Sequence, residues 1–285
     1  MFTPSKLLGP LAAAALGCAA TASLAACPPP QAMYDAADAW LAGERLPDPG
    51  LSSLEDGTCA YTAFRDGLED ALGRPVGVKV GFTSKPAQER FGVPGPVAGA
   101  LFADMLLPDG VAVSLTGTRS PFFEADLIVT VGDAAIEDAT TREQVAAALD
   151  EVRPFVELPD LALAEGVQPS GPIMTAYGVL PWRGVMGDGI RIADLPDPVA
   201  DLAALQVALR LSETEVEQAQ GTALLGHPLD VVLWLVQQGG HDLPPGTVIS
   251  LGSLGKLHPA EPGRRVEADY SIAGQTMKVG FDLVE

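Results

Sequence analysis

Short apolar segments separated by glycine and proline dominate the chain from Pro75 onward. The sequence of 285 residues contains 31 glycines and 25 prolines, which break the apolar runs before they reach the length of a typical helix. Such runs predict strands, which we place at 76–82, 110–115, 123–131, 153–158, 247–253, 264–272 and 276–283. The pattern predicts one α+β domain over residues 75–285, rich in twisted, mostly antiparallel strands.

Apolar residues recur at helical spacing in other parts of the chain. Met33, Ala37, Trp40 and Leu41 predict an amphipathic helix over 31–43. Further helices are predicted over 59–73, 141–151 and 226–238, and glycines follow or end two of them. The first two helices are expected to form a small helical cap over residues 27–74.

The first 26 residues resemble a secretory signal. Lys6 precedes an apolar run over 7–16, and small residues follow. The run is shorter than the roughly 20 apolar residues that span a bilayer. Residues 23–25 fit cleavage to a secreted or periplasmic protein, whereas residues 24–27 also fit a lipobox, in which the cysteine is lipidated and anchors the protein. Both processing routes stay open.

Cysteine positions bear on the same question. Cys18 lies inside the predicted signal, so Cys27 and Cys59 remain beyond it. Two cysteines in an oxidising compartment usually pair, and closing a loop of about 32 residues would add roughly 3–4 kcal/mol. Lipidation of Cys27 would instead leave Cys59 without a partner. We therefore predict a Cys27–Cys59 disulfide, with the lipoprotein as the alternative.

The charge balance excludes two classes of partner. The chain carries 37 acidic residues against 17 basic ones, a formal net charge of −20. Such a surface repels polyanions, so neither nucleic acid nor, without lipidation, an anionic membrane is an expected partner.

Two carboxylates stand at the head of the apolar run in 123–131. Glu124 and Asp126 are two residues apart on a predicted strand, so their side chains share a face. Two buried like charges at about 4 Å repel by roughly 4 kcal/mol at an effective dielectric near 20. Such a pair raises one pKa or recruits a hard cation such as Mg²⁺, Ca²⁺ or Mn²⁺. An exposed acidic strand edge is the alternative.

Two further charged residues lie within predicted strands. Glu157 stands in the apolar segment 153–158 and needs a partner, an edge position or a metal. Lys79 lies between Gly77 and Gly81, and glycines in a strand allow something, such as a ligand, to approach the backbone closely. A lone acid at a strand end and a surface lysine are the alternatives.

Six short motifs follow one another in a recognisable order. They are Gly77-x-Lys79-x-Gly81-x-Thr83-Ser84; Gly92-Val93 with Pro96 and Gly99; Glu124-x-Asp126; Pro154 with Glu157 and Asp160; Gly226-x-Pro228 with Trp234-Leu235; and Gly252-Ser253. In this order they resemble the 2-keto-4-pentenoate hydratase branch of the fumarylacetoacetate hydrolase superfamily, over residues 75–285.

The resemblance implies a mixed β-sandwich or β-roll with a Mg²⁺ or Mn²⁺ site that chelates a small 2-oxo acid. It implies Glu124, Asp126 and Glu157 as metal ligands, and Lys79 and Asp160 as catalytic residues. It further implies that Gly81, Thr83 and Ser253 bind substrate. The implied reaction is hydration of a 2-hydroxydienoate or decarboxylation of a related 2-oxo acid, in a homo-oligomer.

The chain departs from the family pattern at several points. Val97 stands where hydratases usually have Asp, and Leu161-Ala162 replace a Ser-Arg pair. Residues 175–179 replace a polar Ala-Asp-Asn segment of the substrate pocket. The alternative is therefore an exported homologue that keeps the fold, and with it the metal site, but binds a ligand without catalysis.

Overall fold

The computed structural model describes residues 27–285, so the predicted signal segment 1–26 lies outside the described residues. Seven helices occur in this part of the chain. They are α1 (Pro30–Leu41), α2 (Leu54–Leu72), α3 (Lys85–Phe91), α4 (Arg142–Ala148), α5 (Gly171–Ala176), α6 (Pro198–Ala204) and α7 (Pro228–Gln238). None of these seven is long and apolar enough to cross a membrane.

Fourteen strands accompany the helices within the same range. They are β1 (Gly77–Gly81), β2 (Val97–Leu101), β3 (Leu106–Pro108), β4 (Ala112–Ser114), β5 (Phe122–Val131), β6 (Leu149–Leu158), β7 (Arg183–Met186), β8 (Ile190–Arg191), β9 (Gln206–Leu211), β10 (Thr214–Gln220), β11 (Val248–Ser250), β12 (His258–Pro259), β13 (Arg264–Ile272) and β14 (Gln275–Val284).

The strands form two sheets. The larger one has nine strands, seven of them in the order β2-β1-β11-β5-β6-β7-β3, with β12 beside β5 and β8 beside β6. The smaller one has the order β10-β9-β13-β14-β4. Three pairs, β1/β11, β3/β7 and β4/β14, are parallel, and the others are antiparallel. The predicted α+β fold with mixed, mostly antiparallel strands is therefore confirmed.

One core lies between the two sheets and another beneath the N-terminal helices. The first combines inward-facing residues of both sheets, such as Leu127 of β5 and Phe281 of β14. The second joins Met33 and Phe64 of α1 and α2 to Tyr177, just after α5. The helical cap predicted for 27–74 thus has a later partner in α5, which the sequence pattern does not indicate.

Several predicted boundaries are wrong. Helix α2 begins at Leu54 rather than residue 59, because Ser53 caps it in a reciprocal capping box with Asp56. Helix α4 ends at Ala148 rather than residue 151, because the next residues already belong to β6. Helices α3, α5 and α6 and the hairpin of β9 and β10 were not among the predicted elements.

A disulfide fixes the start of the described chain to α2. Cys27 and Cys59 are bonded, with their Cα atoms 5.5 Å apart and 32 residues between them in sequence. This cross-link ties the segment that precedes α1 to the helix against which α1 packs.

Candidate active site

Strands β5 and β6 bring the predicted metal ligands together. Their antiparallel register places Glu124 opposite Glu157, and Asp126 lies two residues along on the same face of β5. Asp126 is fully buried, Glu157 is 4% exposed and Glu124 is half-buried. An exposed acidic strand edge is therefore excluded.

Lys79 reaches the same place from β1. Its ammonium is paired with Glu157 and donates a hydrogen bond to the main-chain oxygen of Val179 at 3.2 Å. Only 3% of Lys79 is exposed. The surface-lysine alternative is therefore wrong, and the lysine supplies a buried positive charge beside the carboxylates.

Asp126 is held from several directions. Its carboxylate accepts hydrogen bonds from the Ser250 hydroxyl and from two backbone N–H groups, those of Leu127 and, at 2.9 Å, Gly252. Tyr270 of the smaller sheet places its hydroxyl 2.7 Å from the main-chain oxygen of Asp126 and 2.8 Å from that of Phe155. Both sheets thus fix this point of β5 and β6.

A cavity of about 140 Å³ opens above these strands. Its polar lining includes Lys79, Glu124, Glu157 and Ser253, and the Ser253 hydroxyl is hydrogen-bonded to Glu124. The other two predicted substrate residues, Gly81 and Thr83, line it as well. Asp126 and Asp160 are absent from its lining. The structure therefore gathers most, but not all, of the predicted site residues around one cavity.

The glycines beside Lys79 make room for protein rather than for a ligand. A Cβ on Gly81 would lie 2.6 Å from a methyl group of Val179, and one on Gly99 of β2 would lie 2.3 Å from the Gly178 carbonyl oxygen. Val179 itself has φ of 62°, a left-handed conformation that β-branched residues rarely adopt. The close approach keeps the Val179 carbonyl at the Lys79 ammonium.

The geometry does not support a catalytic role for Asp160. Its buried carboxylate accepts backbone hydrogen bonds from Arg119 and Ser120, the latter at 2.7 Å, and is paired with the Arg119 guanidinium at 3.2 Å. Asp160 lies just beyond β6, where its backbone pairs with Pro121. Its neighbours Pro159 and Leu161 line the cavity, but Asp160 itself does not. Its contacts are those of a structural anchor.

Burial dominates the electrostatics of the carboxylates. Desolvation, followed by repulsion from Glu157, raises the pKa of Glu124 well above its usual range. The same two causes, in the same order, raise the pKa of Asp126. Lys79 opposes both shifts without cancelling them. If all three carboxyls were ionised, the site would therefore carry more negative charge than its own lysine balances.

The donor chemistry suits a hard divalent cation, because carboxylate oxygens are the ligands that Mg²⁺ and Mn²⁺ prefer. The side-chain positions do not yet form a closed ligand set. Within residues 27–285, no group of three His, Cys, Asp or Glu side chains is gathered closely enough to hold an ion. Glu124 and Glu157 face the cavity, whereas Asp126 is engaged by Ser250 and Gly252.

These raised pKa values predict an unusual pH dependence of metal-free stability. Between about pH 4, where carboxyls ionise in the unfolded chain, and neutrality, the folded state binds more protons than the unfolded state. The free energy of unfolding is therefore expected to fall as the pH rises through this window. Metal binding needs ionised ligands, so the stabilisation by Mg²⁺ is expected to grow over the same range. Melting curves with EDTA and with Mg²⁺ at pH 5, 6, 7 and 8 test both trends; parallel curves would contradict them.

Known proteins of one family resemble this chain in sequence, although no protein-family profile matches it. A 2-hydroxyhexa-2,4-dienoate hydratase from Comamonas testosteroni is 32% identical over 210 residues, 70% of this chain and 76% of the relative. A 4-oxalocrotonate decarboxylase from Pseudomonas putida is 30% identical over 221 residues, 75% of this chain and 82% of the relative. The chain therefore belongs to the family of 2-keto-4-pentenoate-type hydratases and 4-oxalocrotonate decarboxylases within the fumarylacetoacetate hydrolase superfamily.

Solved structures agree on the fold. A 4-oxalocrotonate decarboxylase from Pseudomonas putida G7, complexed with magnesium and adipate, superposes with a TM-score of 0.77 at 24% identity, over 90% of this chain and 97% of that one. A fumarylpyruvate hydrolase from Pseudomonas aeruginosa, in complex with Mn²⁺ and pyruvate, gives 0.58 at 14% identity, over 73% and 88%. Both neighbours carry a divalent metal.

Sequence reasoning missed three residues that shape the site. Ser250 lies in the predicted strand 247–253, but nothing in that strand marks it as the partner of Asp126. Tyr270 lies on the same face of β13 as the buried apolar residues Val266, Ala268 and Ile272, and a buried tyrosine hydroxyl needs a partner, so this signal was available. Arg90 also lines the cavity and gives no sequence signal, because it lies in the unpredicted helix α3.

Proposed function

We propose that this chain is a divalent-metal-dependent lyase, a hydratase or decarboxylase, that acts on a small 2-oxo acid. The observation that carries the proposal is the cavity in which Glu124, Glu157 and Lys79 meet. It is supported by the activities for which the relatives are named, hydration of a dienoate and decarboxylation of 4-oxalocrotonate.

Glu124 and Glu157 would hold a Mg²⁺ or Mn²⁺ ion from the floor of the cavity, and Asp126 is proposed as the third ligand. A bound ion would supply Lewis-acid stabilisation of the negative charge that develops on the 2-oxo acid, a role worth several kcal/mol. Asp126 would have to exchange its bond to Ser250 for this purpose. The two raised pKa values support the fit, since a cation would relieve the repulsion that causes part of them.

The chain's own side chains would then orient the substrate and move protons. Lys79 is placed to neutralise the substrate carboxylate or to pass a proton, because its ammonium lies at the cavity wall with Glu157 as its partner. Ser253 keeps Glu124 in position through its hydroxyl. Thr83 and Gly81 form the part of the wall next to Lys79. The apolar remainder of the wall limits the water that reaches the reacting atoms.

Thermal melting tests the proposal. We expect Mg²⁺ or Mn²⁺ to raise the melting temperature, and oxalate or pyruvate to raise it further only when the metal is present. Binding at 100 times the dissociation constant corresponds to about 2.7 kcal/mol of added stability, which such curves resolve easily. The proposal is refuted if neither ion shifts the curve.

A second candidate is an exported homologue that binds a 2-oxo acid without turning it over. It is favoured by Val97 and by residues 160–162 and 175–179, where the family's polar residues are replaced. Turnover assays with 2-hydroxydienoates and 4-oxalocrotonate separate the two candidates. Metal-dependent ligand binding without any turnover supports the second.

We further propose that the protein is exported to an oxidising compartment. The Cys27–Cys59 disulfide and the signal-like segment 1–26 support this location. The intact mass of protein from its native host, measured with and without reductant, tests this location. Reduction of the disulfide raises the mass by about 2 Da, because each of the two thiols formed gains about 1 Da. A full-length, reduced chain would contradict export, and a lipid adduct on Cys27 would establish the anchored form.

A further inference from the structure

The walls of the site cavity differ sharply from its floor. Above the charged floor, the lining is apolar and includes Phe82, Phe91, Leu161, Met174 and Leu257. The volume of about 140 Å³ corresponds to roughly five water molecules at about 30 Å³ each, the size of a small organic acid. A short carbon chain would fit against these walls while its polar head meets the floor.

Arg90 is the exception among the wall residues. Apart from Lys79 and the two glutamates, it is the one charged residue among those that line this cavity. Its guanidinium carbon lies 5.4 Å from the centroid of the Phe91 ring, a cation–π contact that requires no N–H group of the guanidinium to be hydrogen-bonded. Within residues 27–285, Arg90 forms no ion pair.

Arg90 is exposed to solvent where it lines the cavity, so its guanidinium is accessible to an anionic ligand. Arg90 lies in the last turn of α3, where a positive charge interacts favourably with the helix dipole. That interaction does not depend on the direction of the side chain, so it does not explain why the side chain lines the cavity. A guanidinium presents paired N–H donors that match a carboxylate, so an anionic group at the end of a bound acid would complete its hydrogen bonding.

We propose that Arg90 binds a second carboxylate at the far end of the substrate, so that the cavity selects 2-oxo dicarboxylic acids over 2-oxo monocarboxylic acids. The inference rests on the proposed function, because the floor must hold the 2-oxo acid head before Arg90 can read the other end. Arg90 is then a specificity residue, and the apolar wall between it and the floor accommodates the carbon chain.

Two ligands that differ only at the far end test this proposal. Binding of 2-oxoadipate and 2-oxohexanoate is measured by calorimetry in the presence of Mg²⁺, on the full chain and on two variants. Wild type is expected to bind the diacid about tenfold more tightly, the gain of a charge-assisted bidentate contact. Arg90→Gln is expected to remove this preference and leave the affinity for the monoacid unchanged. Lys85→Gln, on the same helix but facing the neighbouring groove, is expected to keep it.

The outcomes separate this inference from the proposed function. Equal affinity of wild type for both acids, or loss of the preference in Lys85→Gln but not in Arg90→Gln, overturns the role of Arg90 while metal-dependent binding of pyruvate or oxalate still stands. If no 2-oxo acid binds at all, the proposed function fails and the inference falls with it. Arg90→Lys gives a further check, since a lysine restores the charge without the planar fork and is expected to recover only part of the preference.

Discussion

Replacing Glu124 by glutamine is expected to abolish the stabilisation by Mg²⁺ and to reduce turnover at least 100-fold, yet to make the metal-free protein more stable. The loss follows because Glu124 is one of two carboxylates that face the cavity, and even residues that only support metal ligands cost about 10–100-fold when removed. The gain follows because burial and Glu157 raise the pKa of Glu124, so that folding at neutral pH must protonate a carboxyl that is ionised in the unfolded chain, and this lowers the free energy of unfolding. A neutral amide of the same shape removes that cost.

Melting curves of wild type and Glu124→Gln, each with EDTA and with Mg²⁺, measure both effects at once. Glu261→Gln serves as the control, since Glu261 is exposed and lies outside the cavity lining. If Glu124 is a metal ligand, the variant melts at a higher temperature than wild type in EDTA and at a lower temperature than wild type with Mg²⁺. A variant that melts lower than wild type in EDTA and still responds to Mg²⁺ would show that Glu124 is a structural carboxylate instead.

The sequence was sufficient to place residues that follow strand periodicity. Glu124 and Asp126 share a face because strand side chains alternate, and the motif order adds Glu157, which the register then places opposite Glu124. Lys79 was recognised as a strand residue, but its partner was not predictable, since Glu157 lies 78 positions away. Pairings of this kind depend on which strands become neighbours, and β1 reaches β5 only through β11.

Other features depended on tertiary contacts that no local pattern encodes. Helix α5 packs under the N-terminal helices although it follows β6 by twelve residues, and the unpredicted α3 carries Arg90 to the cavity. At Asp160 the family pattern implies catalysis, whereas the fold supplies Arg119 as a buried partner, which no local pattern indicates. The signal segment, the homo-oligomeric state and the roles of Glu124, Asp126 and Glu157 as metal ligands stay predictions.

Asp160→Ala is expected to lower the free energy of unfolding by about 3–5 kcal/mol, the typical cost of removing one partner from a buried ion pair. Asp160 is fully buried, and the side chain of Arg119 is 9% exposed. Burial already lowers the pKa of Arg119, and Asp160 is the group that opposes this effect. Without the carboxylate, the guanidinium loses its ion-pair partner and the Ser120 N–H loses its acceptor. The melting temperature is expected to drop on the order of ten degrees.

A double-mutant cycle distinguishes this anchor from a catalytic acid. Arg119→Ala in the Asp160→Ala background removes the uncompensated charge, so the double variant is expected to be more stable than the sum of the single losses predicts. If Asp160 acts only as an anchor, turnover per folded molecule stays near that of wild type in all three variants, provided it is measured below their melting temperatures. A loss of turnover in fully folded Asp160→Ala, with no coupling to Arg119, would restore the catalytic assignment. Arg119 also lies over the ring of Trp40 at 5.9 Å, so this ion pair connects the end of β6 to helix α1.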